Sequence, residues 1–465
     1  MIRNRNPHAR RTAVTALAAV VALGMALVPT LSASAETAGS NWWYAKYDVA
    51  GAQAAGWTGA GIKIAVIDGQ INSSLPVFQG ANLKIYPTSF CNNITPADTT
   101  IANEGSVHGS DVTALLVGNG TGTGAVAGIA PKAIVSFYAD TNTDGTLNGC
   151  SNTQIGGLTY TALGRAILKA IGDGNRIISV SQVGSSPPSG DTHAVAQAVA
   201  KGIVIIGGQP NTVAQAAQKF PADANGVVGT NAFDDQGNLQ APDGKTTAYS
   251  STTVVAAGAH LPSQASPDNV WGDNRNSVTG SSLATPLVAG MLALTLQKYP
   301  TATGNQLIQS LILNTSAKDH PLSFDTAGYG YGPASLSHLL RVDPTQYPDT
   351  NPLLNKPNGL GVPTAAEFAA AANSASPTPS APPSTAAAAA PSPGKASGSI
   401  MPGLLTGVIV VVVLLLVLAG LAVVLMRSLR RRAAPSSPVA VGPAGAVPNA
   451  TASGGTEPIV NDRDH

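Results

Sequence analysis

The segment G-S-S-L-A-T-P-L-V-A-G, residues 280–290, decides the fold of this chain because it places two adjacent serines before an apolar run that continues to Lys298. A helix that is apolar nearly all round is buried, so we expect Ser282 to open a helix packed inside a core. Pro286 is tolerated near the start, where backbone N–H groups have no intrahelical partner. Taken alone, the two serines either cap this helix or supply a nucleophile.

Between residues 61 and 350, short β-branched runs alternate with helical patterns. The runs are apolar throughout, as expected when both faces of a sheet are covered. This alternation predicts an α/β domain with a mostly parallel sheet. The predicted strands are 62–68, 133–139, 176–183, 202–207, 227–230 and 252–257, and the predicted helices are 110–117, 158–171, 192–200, 282–298 and 304–313.

Three residues lie where reactive groups gather in such sheets, at the carboxyl ends of strands and the adjoining helix starts. Asp68 ends a predicted strand, while His108 and Ser282 each open a predicted helix. Taken singly, they are also typical of a turn aspartate, a capping histidine and a capping serine. Together they predict a triad in which histidine takes the proton of the serine hydroxyl and the carboxylate orients the histidine.

These motifs resemble those of the subtilisin-like serine proteases, the subtilases of the S8 family, which share the chain order Asp, His, Ser. The family motif G-T-S-M-A-T-P-H-V-A-G is similar to residues 280–290, and H-G-T-H-V-A-G is similar to residues 108–114. The family's G-V-A-P resembles residues 128–131. The resemblance implies a subtilisin-like three-layer fold and a serine endopeptidase that works through an acyl-enzyme.

The resemblance also implies an oxyanion hole and a substrate-binding edge. The family's oxyanion asparagine, in A-A-G-N, aligns with Asn211, for which an ordinary turn role stays open, and Gln209 is the substitute candidate. The family's S-L-G segment aligns with Ser181, Gln182 and Val183. We expect these three residues to bind a substrate strand through main-chain hydrogen bonds.

Several positions depart from the family pattern and affect the expected substrate range and rate. Gly69 and Gln70 stand where the family has D-[ST]-G, and Val183 replaces a glycine, which narrows the predicted cleft. Asp111 replaces a residue that is often histidine and would raise the pKa of His108 if it faced the site. The alternative interpretation is a degenerate protease domain kept as a scaffold. An esterase or lipase is disfavoured because no G-x-S-x-G elbow is present.

The two ends of the chain carry predicted export and anchoring segments. Residues 1–35 resemble a signal peptide with a basic start, an apolar core and the cleavage motif Ala33-Ser34-Ala35, with an uncleaved anchor as the alternative. The uncharged apolar run 403–426 is long enough to cross a hydrocarbon core of about 30 Å. Four arginines follow it, so the tail 427–465 is predicted to be cytoplasmic.

The remaining segments complete the predicted layout of a single-pass cell-membrane protein whose protease domain is extracytoplasmic. They are an N-terminal extension at 36–60, the protease domain at 61–350 and a Pro/Ala/Ser-rich linker at 351–402. This layout resembles that of the mycosins, the membrane-anchored subtilases associated with type VII secretion. The resemblance implies exported polypeptide substrates and a type VII secretion membrane complex as partner. It also implies that Trp42-Trp43-Tyr44 packs on the catalytic domain.

Charge and cysteine content narrow the other expectations. The external part has a small negative net charge without a basic run, so nucleic acid is not an expected partner. Cys91 and Cys150 are expected to form one disulfide in an oxidising compartment, with two free thiols as the alternative. No Cys/His cluster indicates a metal site and no acidic cluster requires structural calcium, so no cofactor is expected.

Overall fold

The computed structural model describes residues 41–375 except 144, 147–148, 242–243, 267 and 273–276. The predicted signal peptide, the apolar run 403–426 and the predicted cytoplasmic tail lie outside the described residues. Within the part of the chain that is described, no helix is long and apolar enough to cross a membrane.

A parallel sheet forms the centre of the described domain. In chain order the strands are β1 Lys63–Asp68, β2 Asn82–Ile85, β3 Ile134–Ala139, β4 Thr153–Ile155, β5 Leu158–Tyr160, β6 Ile177–Val180, β7 Val204–Gly208, β8 Val228–Phe233, β9 Val254–Ala257, β10 Leu261–Pro262 and β11 Ser277–Val278. Seven of them hydrogen-bond in the order β2-β3-β1-β6-β7-β8-β9, and each neighbouring pair is parallel. Strands β4 and β5, and likewise β10 and β11, form short antiparallel pairs beside the sheet.

Helices cover both faces of the sheet and give the domain three layers. They are α1 Trp42–Lys46, α2 Val49–Ala54, α3 Glu104–Val117, α4 Ala162–Gly172, α5 Ser189–Ala200, α6 Ser281–Lys298, α7 Gly304–Leu313, α8 Leu336–Arg341 and α9 Ala365–Ala375. Ile64 and Val66 of β1 pack into one core with α3 and α6, whereas Ala65 and Ile67 pack into a second core with α4 and α5. The predicted α/β fold with a mostly parallel sheet is therefore confirmed.

Two predicted element boundaries are wrong for identifiable reasons. The helix predicted at 110–117 begins six residues earlier, at Glu104, because Asn103 and Ser106 form a capping box at its start. The helix predicted at 158–171 begins only at Ala162, after strand β5, because the Thr161 side chain caps it by accepting from the Gly164 N–H.

The strand predicted at 176–183 is also too long, since β6 ends at Val180. In the sheet register, Val180 lies beside Ile67 on one side and Gly207 on the other, close to where both neighbouring strands end. Residues beyond Val180 therefore have few strand partners and leave the sheet. The edge strand β2 was not predicted, because N-L-K-I has only two apolar residues and is half exposed.

The N-terminal extension packs on the α/β domain, as expected. Trp43 is fully buried in the core that contains α6. The Tyr47 hydroxyl accepts a hydrogen bond from the Ala257 N–H at 2.7 Å, and the Trp42 indole donates to the Ala259 carbonyl at 3.0 Å. These contacts fix the extension to the end of β9.

The first part of the predicted linker is folded, which corrects its predicted start at residue 351. Leu353 and Lys356 are buried, and the Lys356 ammonium donates to the carbonyls of Ala222 and Val227. Helix α9 then packs along α5, and Ala371 is buried there. Its sequence A-A-E-F-A-A-A-A is rich in alanine, the residue with the highest helix propensity, and Leu353 adds a buried apolar side chain. Assigning a linker from composition alone overlooks both features.

Candidate active site

A cleft of about 580 Å³ opens at the carboxyl ends of the parallel strands. Strand β1 lies between β3 and β6, so the strand order reverses beside it, which is where open α/β sheets place their sites. Asp68 ends β1, residues 181–183 follow β6 and Asn211 lies after β7, while His108 lies in the second turn of α3 and Ser282 in the first turn of α6. The cleft lining includes Glu104, His108, Ser181, Gln182, Asn211 and Ser281.

Asp68 and His108 are in direct contact. Asp68 is fully buried at the last position of β1, and its Oδ1 lies 2.7 Å from His108 Nδ1. The same oxygen accepts from the Gly69 N–H at 2.7 Å, which fixes the carboxylate. The His108 side chain is 32% exposed, and its Nε2 makes no hydrogen bond among the described residues. The ring therefore presents Nε2 as the nitrogen that can exchange a proton.

Opposing effects act on the pKa of His108. Burial of the ring lowers the pKa, but the charge of Asp68 and the hydrogen bond to it outweigh burial, and Asp111 and Glu104 add to them. The pKa is consequently raised to about 9. In the enzyme without substrate, His108 is therefore mostly protonated at neutral pH and becomes the neutral base only above about pH 9.

The two adjacent serines occupy different environments. Ser281 starts α6 and donates its hydroxyl to the Gln209 carbonyl oxygen, with Asn211 Oδ1 2.9 Å away. Ser282 follows, accepts from the Ser181 hydroxyl at its carbonyl oxygen (2.8 Å), and has no hydrogen bond at its own Oγ among the described residues. Of the two hydroxyls, only that of Ser282 is uncommitted. The Ser281 hydroxyl therefore holds the start of α6 to the segment that follows β7.

No hydrogen bond within the described part of the chain joins His108 to the Ser282 hydroxyl, although Asp68 and His108 are paired. Catalytic hydrogen bonds are often long in the absence of substrate and shorten in the Michaelis complex. The structure thus places the Asp68 carboxylate in direct contact with His108. It places the predicted nucleophile, Ser282, in the first turn of α6.

Asn211 lies beside Ser282, and its orientation follows from its donors. Its Oδ1 accepts from the Ser281 N–H at 2.8 Å and from Gln240 Nε2 at 3.2 Å. The amide nitrogen is then directed towards Gly280: a Cβ on that glycine would lie 3.1 Å from Asn211 Nδ2 and 2.9 Å from Ser282 Oγ. Asn211 Nδ2 and Ser282 Oγ therefore border the same small space, which stays open because Gly280 has no side chain.

Gln209, the substitute oxyanion candidate, is differently placed. It is buried, and its Nε2 donates to Asp223 Oδ1 at 2.7 Å. A donor already bonded to a buried carboxylate is not available to a substrate. The geometry therefore favours Asn211 over Gln209.

Ser181, Gln182 and Val183 line the cleft after the end of β6. The main chain pairs again at Gly184, whose N–H and carbonyl exchange hydrogen bonds with Phe220. Gln182 also has a contact that the sequence did not reveal, since its Nε2 donates to Asp68 Oδ1 at 3.3 Å. This side chain therefore adds a third donor to the buried carboxylate.

Asp111 is buried one turn after His108 and is fully hydrogen-bonded. The Ser263 hydroxyl donates to its Oδ2 at 2.7 Å, and the Gln264 N–H donates to its Oδ1 at 2.6 Å. Burial raises the pKa of Asp111 to about 7 despite these bonds. The Asp111 charge in turn raises the pKa of His108, as expected from the sequence. Asp111 thus ties α3 to the segment that follows β10.

A turn of helix that the sequence did not predict forms one wall of the cleft. Gly105, in the first turn of α3, packs directly on the backbone at Gly69: a Cβ on Gly69 would lie 2.7 Å from Gly105 O. A Cβ on Gly105 would in turn lie 3.1 Å from Gly145 Cα. The backbones at Gly69, Gly105 and Gly145 therefore pack against one another, and Glu104 lines the cleft next to them. The capping residues Asn103 and Ser106 were the available signal for this turn.

The predicted disulfide is confirmed. Cys91 and Cys150 are bonded, and no free cysteine is present. The bond ties the loop after β2 to the loop after β3, which contributes Gly145 and Thr146 to the cleft. The residues that the structure describes contain no cluster of His, Cys, Asp or Glu able to hold a metal ion.

Comparison with known proteins identifies the family of this chain. Residues 59–332 match the Subtilase family (Peptidase_S8). Subtilisin DY from Bacillus licheniformis is 30% identical over 261 residues, 55% of this chain and 84% of that protein. Subtilisin E from Bacillus subtilis is 30% identical over 258 residues, 54% of this chain and 60% of that protein. The solved structure of fervidolysin from Fervidobacterium pennivorans, a keratinolytic enzyme related to subtilisin, has a TM-score of 0.48 and 20% identity, covering 61% of this chain and 43% of its own. This chain is therefore a member of the subtilase family and a serine endopeptidase.

Proposed function

We propose that the protein is a membrane-anchored extracytoplasmic endopeptidase that cleaves exported polypeptides with the triad Asp68, His108 and Ser282. The observation that carries the proposal is the buried Asp68–His108 hydrogen bond beside a helix start at which Ser282 alone has an uncommitted hydroxyl. His108 Nε2 takes the Ser282 proton as Oγ attacks the scissile carbonyl carbon. Asp68 stabilises the imidazolium that forms.

Negative charge develops on the substrate carbonyl oxygen during this attack. Asn211 Nδ2 and the Ser282 N–H, at the start of α6, are the proposed donors to that oxygen. The C–N bond then breaks, His108 returns the proton to the leaving amine, and water hydrolyses the acyl-enzyme by the same route. The segment 181–183 holds the substrate strand through main-chain hydrogen bonds.

The proposed setting rests on the layout of the whole sequence. The predicted signal peptide, the Pro/Ala/Ser-rich segment, the apolar run 403–426 and the arginines after it would fix the domain outside the cytoplasmic membrane. The same layout, with an N-terminal extension packed on the domain, resembles the mycosins. We therefore infer a role in type VII secretion, with exported proteins of that pathway as substrates.

Labelling by a fluorophosphonate tests the assignment of the nucleophile. The full chain should be labelled and recovered with the membrane fraction, and Ser282→Ala should lose the label. Ser281→Ala serves as the comparison, because it removes the neighbouring hydroxyl, and it should retain labelling. Label that persists in folded Ser282→Ala would refute the assignment. In a deletion strain, failure of Ser282→Ala to restore secretion supports proteolysis, whereas full rescue favours the scaffold interpretation.

A further inference from the structure

Helix α3 carries an acidic side chain into the cleft one turn before the proposed base. Glu104 is its first residue and His108 lies four positions later, so both side chains lie on the same helix face. Both residues line the cleft. The sequence motif around His108 gives no indication of this, because the predicted helix did not include residues 104–107.

The turn that carries Glu104 is held firmly. Asn103 caps it by accepting from the Ser106 N–H at 2.8 Å, and Ser106 Oγ accepts from the Asn103 N–H at 3.0 Å. Gly105 packs between the backbones of Gly69 and Gly145: a Cβ on Gly69 would clash with Gly105 O at 2.7 Å, and a Cβ on Gly105 would lie 3.1 Å from Gly145 Cα. The position of the Glu104 backbone is therefore fixed by packing on two sides.

The Glu104 carboxylate has no partner of its own. It is exposed, and among the described residues it accepts no hydrogen bond and forms no ion pair. Among the described residues of the cleft lining it is the one carboxylate, and no lysine or arginine lies there with it. The nearby His108 is already paired through Nδ1 with Asp68. A cationic group entering the cleft would therefore find Glu104 unoccupied.

A second groove of about 630 Å³ continues from the cleft and shares Glu104 with it. Its lining is more apolar than that of the cleft and includes Pro96, Ala102 and Ile101, whose side chain is 69% exposed. The segment that carries Ile101 is held by Trp271, whose indole N–H donates to the Thr100 carbonyl at 2.9 Å. Glu104 thus stands at the junction between a polar cleft and an apolar groove.

We propose that Glu104 is a specificity-determining residue that binds a lysine or arginine side chain of the polypeptide substrate, while the groove at Ile101 takes an apolar side chain next to that cation. The inference rests on the proposed use of this cleft as the substrate site and adds the class of substrate. A carboxylate and a Lys or Arg form a charge-assisted pair, and the partial exposure of this site keeps the gain modest.

A purely structural role for Glu104 makes a different prediction. An acidic residue in the first turn favours helix formation by its interaction with the helix dipole. In that case Glu104→Gln would lower the melting temperature and leave the choice among substrates unchanged. Substrate preference therefore separates the two roles.

The test uses the full chain and internally quenched peptides in which a single Lys moves along an otherwise uncharged, Gln-containing sequence. At one position, Lys should raise kcat/KM roughly fivefold over Gln in the wild type, and high salt should reduce this ratio. Glu104→Gln should abolish the ratio, Glu104→Asp should keep it in part, and Glu104→Lys should prefer Glu at the same position. Ratios are compared at one pH, so that a changed His108 pKa cancels.

The apolar groove is tested in the same assay. With Lys at the preferred position, a neighbouring Leu should be cleaved faster than a neighbouring Ser, and Ile101→Ser should reduce that difference. Equal rates for Lys and Gln at every position, or a Lys preference that survives in Glu104→Gln, would overturn the inference while leaving the proposed function intact. Cleavage of no peptide by the wild type would overturn the proposed function and this inference with it.

Discussion

Gly69→Ser tests how the cleft wall is built, because the family pattern D-[ST]-G has serine or threonine at this position. A Cβ on Gly69 would lie 2.7 Å from Gly105 O and 2.8 Å from Gly105 Cα. The shorter of these distances is about 0.7 Å less than an ordinary van der Waals contact of 3.4 Å. Both atoms belong to backbone, so α3 must move. Overpacking of this kind costs about 1–3 kcal/mol of the free energy of unfolding.

The same movement acts on catalysis because Gly105 lies in the turn before His108. Displacing α3 by a fraction of an ångström disturbs the 2.7 Å contact between His108 Nδ1 and Asp68. Misplacement of a catalytic group by about 1 Å can cost on the order of 10²-fold, so we expect kcat to fall roughly 10- to 100-fold. The hydrogen bond from the Gly69 N–H to Asp68 is affected in the same direction.

The assay compares urea unfolding and peptide cleavage for Gly69→Ser and the control Gly172→Ser. Gly172 ends α4, and a Cβ there would meet no atom within 4 Å. The control should stay within about 0.5 kcal/mol of the wild type, as surface substitutions usually do, with unchanged kcat. A Gly69→Ser protein that matches the control in both measurements would show that α3 accommodates the added side chain without loss of stability or activity, and it would refute this reasoning.

Two further predictions concern the residues around the triad. Asn211→Asp keeps the Oδ1 that accepts from the Ser281 N–H but removes the Nδ2 donor, so kcat should fall about 10²–10³-fold with little change in melting temperature. Asn211→Ala should also lose about 1–3 kcal/mol of stability, and unchanged kcat in both variants would contradict the oxyanion role. Asp111→Asn removes a charge that raises the pKa of His108, so the rising limb of kcat/KM should shift to lower pH. Between pH 3.8 and about 7 the folded protein retains a proton on Asp111 that the unfolded chain has lost, so the free energy of unfolding falls as pH rises. Urea titrations across this range should show a shallower slope in Asp111→Asn than in the wild type, because Asp140 and Asp191, whose pKa values are also raised by burial, keep their own contributions; an unchanged slope would contradict the argument.

Much of the fold could be predicted because its signals are local. The buried strands β1, β3 and β7 read as apolar runs, and helix α7 was predicted at its observed limits, Gly304–Leu313. Elements with weaker signals were missed or cut short. Strand β2 exposes every second side chain, and the helical segment from Glu104 to Val107 contains glycine and serine, which have low helix propensity.

The site was predictable in its parts but not in its contacts. Motif spacing placed Asp68 and His108 at neighbouring element ends, and the structure joins them. The sequence could not reveal that Gln182 donates to Asp68 or that Asp111 binds the main chain at Gln264, because these contacts link residues far apart in the chain. Glu104 was missed for the same reason that the helix start was misplaced.

The departures from the family pattern bear on whether this is a working site or a relic. When selection for catalysis is lost, nothing requires a substitution that buries a new charge or alters backbone packing to be accommodated by its neighbours. Here the altered residues are compensated: Gly69 makes room for Gly105, and both oxygens of Asp111 are hydrogen-bonded. The Asn211 side chain is held in one orientation by two donors to its Oδ1, the Ser281 N–H and Gln240 Nε2. Such paired changes reshape a cleft without dismantling it, which favours an altered substrate preference over a scaffold that has lost its activity.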